Sequence, residues 1–132
     1  MILRFLDHQD ETNPINGLVI ADDEQLSKIF DGFRTREPFF AEFYGDNGYK
    51  LLIGIGRTVG CVQYSRSDGD TPYLMAVAFN PHARVENFEF LAGNTPTPVS
   101  GRYILPLEQV KKITQYFRET GARSASVSWE EL

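Results

Sequence analysis

Gly54-Ile55-Gly56, Asp68-Gly69-Asp70, Cys61 and the two histidines, His8 and His82, are the residues whose types could do chemistry. Two glycines at this spacing suggest a backbone cradle for phosphate. The dinucleotide-binding pattern needs a third glycine at position 59, where Val59 stands, and a helix after it, where another strand is expected. Gly54 and Gly56 are instead expected to permit a bulge or the close approach of a covering element. Asp68 and Asp70 could offer carboxylates to a divalent cation. No glutamate follows at the distance a calcium loop requires, so a polar hairpin tip is expected. His8 and His82 lie at neither helical nor strand spacing from a second ligand, and no metal site is expected. Cys61 and His82 are the one available nucleophile–base pair, but Cys61 sits in an apolar run that reads as a buried strand. The sequence has no Gly-x-Ser-x-Gly elbow and no paired catalytic carboxylates. It is expected not to be an enzyme and to use no cofactor.

The elements that would position these residues centre on Leu51–Phe79, where three apolar runs rich in Ile, Val and aromatics are separated by turn formers. Before it, Phe39–Tyr44 alternates as a strand, with Phe39, Ala41 and Phe43 on one face and Phe40, Glu42 and Tyr44 on the other. Asn47-Gly48 then predicts a hairpin turn. Further strands are expected over Val59–Tyr64, Tyr73–Phe79 and Val85–Leu91, with a turn at Asn80-Pro81-His82-Ala83. Small Ala76 and Ala78 leave room for a helix to pack closely. Residues 1–7 could form a short strand, and 93–98 look too proline-rich for regular structure. Tyr103-Ile104-Leu105 is expected to be a last short extended segment.

Two amphipathic helices are expected. Asp22 is the N-cap of the first, Leu26, Ile29, Phe30 and Phe33 form its apolar stripe, and Gly32 is a candidate stop. The second has Pro106 at its first position, Leu107, Val110, Ile113 and Phe117 as its stripe, and Gly121 as terminator. Together these predict an α+β domain over residues 1–132: an antiparallel β-meander of about five to six strands covered by two main helices.

A chain of 132 residues that is 42% hydrophobic and 23% charged can build one core without disulfides or metal. One cysteine suits a reducing cytoplasm, and no leader or membrane span is expected. The net charge of −5, with both signs interleaved, disfavours nucleic-acid binding and permits docking to a basic partner. Acids on expected outer faces and loop tips stand among tyrosines, a combination that can engage a basic protein surface. On this basis Glu42, Tyr44, Asp46, Asn47, Tyr64, Asp68, Asp70, Tyr73 and Glu89 are the candidate interface. The alternative for each tyrosine is a place in the core.

The order of several short motifs resembles family one of the bacterial polymorphic-toxin immunity proteins. They are Gly54-Ile55-Gly56, Val59 to Tyr64, Asp68 to Tyr73, Gly93-Asn94-Thr95-Pro96-Thr97, Leu105-Pro106-Leu107-Glu108, and the closing Val127-Ser128-Trp129-Glu130-Glu131-Leu132. The resemblance covers residues 48–132, and the first 47 match only in general plan. It implies an antitoxin that binds a cognate secreted toxin, often a nucleic-acid deaminase, and occludes its active-site cleft. The partner would be a basic, nucleic-acid-acting domain, and the free chain a cytoplasmic monomer. The rival expectations are a small ligand-binding or enzymatic domain with a pocket between sheet and helices, and a module that oligomerises through an edge strand.

Overall fold

The computed structural model describes residues 1–78 and 87–132. In chain order the elements are β1 (Leu3–Asp7), β2 (Val19–Ile20), α1 (Asp23–Phe33), β3 (Phe39–Gly45), β4 (Tyr49–Ile55), β5 (Val59–Arg66) and β6 (Tyr73–Val77). There follow β7 (Phe88–Ala92), β8 (Thr95–Val99), a 3-10 turn (Gly101–Tyr103), β9 (Leu105–Pro106), α2 (Leu107–Thr120) and β10 (Ser128–Glu131). The expected turn at 80–83, the end of the fourth strand at Phe79 and the start of the fifth at Val85 lie outside the described residues.

Both helices form for the reasons their sequences give. Asp22 holds extended backbone, and its carboxylate accepts from the Gln25 amide at 2.8 Å, with Asp23 and Glu24 in the positive first turn. Leu26, Ile29 and Phe30 are buried, and the helix runs one residue past Gly32. In α2 the buried stripe is Leu107, Val110, Ile113, Thr114 and Phe117. Gly121 ends it at φ 74°, its amide donating to the Phe117 carbonyl at 2.7 Å. Pro106 stands at the N-cap, one position earlier than expected, because it still pairs with Val59 as part of β9.

The sheet has the order β10-β6-β5-β4-β3-β1-β2, and β3 to β6 are the expected consecutive antiparallel meander. The α+β class holds, but the described residues form ten strands rather than five or six. The additional strands have identifiable causes. The proline-rich segment pairs with β7 as β8, because Thr95, Thr97 and Val99 face the ladder partners Ala92, Phe90 and Phe88 while Pro96 and Pro98 fall between them. Proline is tolerated at such an edge, where its missing N–H would face away from the ladder. The closing segment becomes β10 by pairing with β6, Trp129 opposite Ala76 and Glu130 opposite Met75. Of 103–105, Ile104 and Leu105 are extended, while Tyr103 belongs to the 3-10 turn.

The strand β7 does not continue the meander. It touches β3 in parallel at Phe39 and Leu91, and folds with β8 across the sheet face opposite the helices. The central strands are therefore covered on both faces, so β3 is buried continuously from Phe39 to Phe43. One core layer joins Phe5, Phe30, Phe43, Ile53, Ala76, Val110 and Phe117 under the helices. The other joins Phe40, Cys61, Met75, Phe90 and Ile104 under the hairpin. Two glycines set the layer spacing. A Cβ on Gly60 would lie 2.4 Å from the Gly54 carbonyl oxygen and 3.2 Å from Val110, and one on Gly54 would lie 2.7 Å from both Phe90 and the Cys61 sulfur.

Candidate partner-binding surface

The hairpin covers only part of the second sheet face. On the remainder, register places Leu6 of β1, Glu42 and Tyr44 of β3, Lys50 and Leu52 of β4, Gln63 and Ser65 of β5, and Tyr73 of β6 side by side. Glu42 is the anchor of this area and is only 3% exposed. One of its oxygens accepts from His8 Nε2 and from the Tyr44 hydroxyl at 3.0 Å, and the other pairs with Lys50 Nζ. Burial alone would raise its carboxyl, but the hydrogen bonds and charges of His8 and Lys50 outweigh that and hold it at about 2. The same hydrogen bond raises His8 above its ordinary value against the opposing effect of burial. Burial and the adjacent Glu42 charge push Tyr44 up. All four side chains are fixed by one another, so the cluster presents a defined polar surface.

The turn between β3 and β4 and the turn between β5 and β6 lie at the same end of the sheet, tied by the Ser67 amide donating to the Gly48 carbonyl at 2.9 Å. This end brings together Asp46, Asn47, Asp68, Asp70 and Tyr73 of the expected interface. Asp46, Asp68 and Asp70 are exposed. The Asp70 amide donates to Asp68 at 2.9 Å and holds its carboxyl below the usual range, with Arg66 adding at 2.6 Å. The Tyr73 hydroxyl donates to the Gly69 carbonyl. Asn47 is exposed but has a structural bond, its amide donating to the Gly121 carbonyl at 2.9 Å and fastening the turn to the end of α2.

Glu42, expected on an exposed outer face, lies on this surface but is buried by its three partners, His8, Tyr44 and Lys50. Two further expected residues are not on the surface at all. Tyr64 is 9% exposed on the helix side, stacked on Tyr49 at 5.0 Å and edge-on to Phe117 and Trp129, so it belongs to the core. Glu89 is exposed, but it lies on β7 toward the opposite end of the sheet. The partners His8 and Lys50 were not legible, because His8 meets Glu42 across 34 positions and only the β1–β3 register brings them together. A second fixed group was also missed: Arg102 reaches Glu130 at 2.8 and 2.5 Å while the Tyr103 hydroxyl donates to its other oxygen at 2.8 Å.

Between the covering hairpin and the open area lies a groove of about 240 Å³ lined by Phe40, Leu52, Cys61, Met75, Val99 and Tyr103. It is smaller than the ~300–1,000 Å³ typical of small-molecule sites. The Cys61 thiol on its floor is 1% exposed, and burial pushes it up to about 12, so it is not a thiolate at neutral pH. Among the described residues no three His, Cys, Asp or Glu side chains converge on a possible metal position. None of their helices is long and apolar enough to cross a membrane.

These features define an α+β protein whose sheet is buttressed on both faces and carries a locked polar surface beside an acidic end. The chain matches the family model described as Immunity protein Imm1 over residues 6–131, and it belongs to that immunity-protein family. No curated protein matches it. A toxin is therefore the class of partner that membership of the family implies.

Proposed function

We propose that this protein binds and inhibits a cognate secreted toxin, a basic nucleic-acid deaminase, by occluding its active-site cleft. The observation that carries the reading is the family match over residues 6–131. The net charge of −5 supports it, since an acidic domain complements a cleft built to hold nucleic acid. The exposed carboxylates of Asp46, Asp68 and Asp70, with Tyr44 and Tyr73 beside them, are the proposed first contacts. A complex of this kind would bury roughly 1,200–2,000 Å² in total, with a few anchors dominating. The protein acts as a single domain over 1–132, as a free monomer in the cytoplasm of the toxin-producing cell, and contributes no chemistry of its own.

Co-expression with the toxin encoded beside it tests the reading. Rescued growth and a complex that survives gel filtration are the expected results. Cell death with no complex would refute it.

A further inference from the structure

An open sheet needs its edges defended against pairing with other chains. Two of the outer strands here are. β8 carries Pro96 and Pro98, which cannot donate, and β2 is only two residues long. β10 has four residues, Ser128-Trp129-Glu130-Glu131, with neither proline nor bulge. The Leu132 amide donates to the Tyr73 carbonyl at 2.9 Å, and this fixes the phase of the ladder. Ser128 and Glu130 then bond to β6, while the N–H and C=O groups of Trp129 and Glu131 point outward. Among the described residues nothing pairs with them.

Two open clefts adjoin this edge. One, of about 430 Å³, lies on the helix side between Tyr64, Arg123 and Trp129. The other, of about 610 Å³, lies between Val77, Arg102, Gln109 and Val127. A strand added to an edge takes its affinity from main-chain hydrogen bonds and its specificity from pockets that receive alternate side chains. Both requirements meet at β10.

We infer that the outer edge of β10 is a docking edge that pairs with an extended strand of the toxin, one carrying a lysine or arginine opposite Glu131. This rests on the immunity reading above and names a contact for it. Glu131 is exposed and has no ion-pair partner among the described residues, whereas Glu130 is held by Arg102 and Tyr103. A basic cross-strand neighbour satisfies Glu131, and like charges directly opposite each other are unfavourable. A second copy of this chain is the poorer occupant, because antiparallel registers centred on Glu130 or Glu131 place each glutamate against itself.

The register supplies a selective test. Glu131→Pro removes an N–H that faces outward and leaves the bonds of residues 128, 130 and 132 to β6 in place. The variant should keep the wild-type melting temperature and bind the co-expressed toxin roughly ten- to a hundred-fold more weakly. Glu131→Thr keeps the N–H, and should bind less tightly than wild type by an amount that shrinks as salt is added. Amide exchange on the wild-type complex gives an independent readout, in which Trp129 and Glu131 become protected on binding. Equal toxin affinity for wild type and E131P, or unchanged exchange at both amides, overturns the edge assignment while leaving the immunity reading intact. A wild-type chain that never binds the toxin overturns the immunity reading and the edge together. A concentration-dependent dimer in light scattering that E131P abolishes assigns the edge to a second copy and overturns the toxin strand.

Discussion

Replacing Glu42 by glutamine keeps the size of the side chain and removes the charge at the centre of the polar cluster. The carboxyl is held at about 2 against an ordinary value of 4.5. At 1.36 kcal/mol for each tenfold change, that difference contributes about 3 kcal/mol at pH 7. The sign follows from the direction. A depressed carboxyl stabilises the fold fully above 4.5, and the stabilisation is lost as pH falls through about 2. His8 works the other way: its raised value means that its share is present below the ordinary histidine range and is lost as pH rises through the folded value. Urea unfolding of wild type and E42Q should therefore differ by about 3 kcal/mol at pH 7 and by about 2 kcal/mol at pH 3.5. The gap should also narrow as pH rises through the raised His8 value, where that side chain loses its proton. A gap of the same size at pH 7 and pH 3.5 would refute the electrostatic account and point to misfit of the amide against Lys50. A gap below about 1 kcal/mol at pH 7 would show that the cluster contributes no more than an exposed pair.

Asp7 is 2% exposed and accepts from the Gln9 and Asp10 amides, Asn13 and Arg36 at 2.8 to 3.0 Å, so Asp7→Ala should cost about 3–5 kcal/mol in urea unfolding. The same variant should expose the segment between β1 and β2 to limited proteolysis. Gly60→Ala should destabilise by about 1–3 kcal/mol, because the new methyl meets the Gly54 carbonyl in a place with no slack. Gly32→Ala should stabilise by about 0.5–1 kcal/mol, since Gly32 is helical and its Cβ would meet open space. Native Cys61 should resist thiol reagents at pH 7 and react at once in denaturant; rapid labelling of the folded chain would contradict its burial.

The parts legible in the sequence are those governed by local rules. The Asp22 cap, the stripe of α2, the Gly121 stop and the Asn47-Gly48 hairpin each depend on residues within a turn of one another. Gly54 shows both the strength and the limit of such reading. Its failure as a phosphate loop follows from spacing, and close approach of a covering element is what Phe90 makes there. That the covering element would be a proline-bearing hairpin depends on pairing between β7 and β8 and on the single parallel contact to β3, which no local pattern encodes. The candidate surface divides the same way. Turn tips announce themselves through aspartate, asparagine and glycine, so Asp46, Asp68 and Asp70 are placed correctly at one end. Glu42 looks like an outward residue until the register of β1 and β4 supplies His8 and Lys50 to pair with it.

The locked cluster and the open edge have different consequences for binding. An interface loses affinity to every side chain that must be ordered on contact, at about 0.5–1.5 kcal/mol for each rotamer-rich group. Lys50, Tyr44 and His8 are already held by Glu42, and Arg102 and Tyr103 by Glu130, so five polar side chains of the open face and its border are ordered before a partner arrives. Core packing on both sides of the central strands keeps their backbone equally fixed. A partner that meets such a surface loses little to reorganisation of this chain. On the proposed reading, its affinity then depends on what it brings: cations for Asp46, Asp68, Asp70 and Glu131, and, at β10, a strand able to use the Trp129 and Glu131 backbone. If both proposed contacts are used, two sequence-distant features discriminate together, since a toxin matching the charges but lacking an extended strand would satisfy only half of the surface.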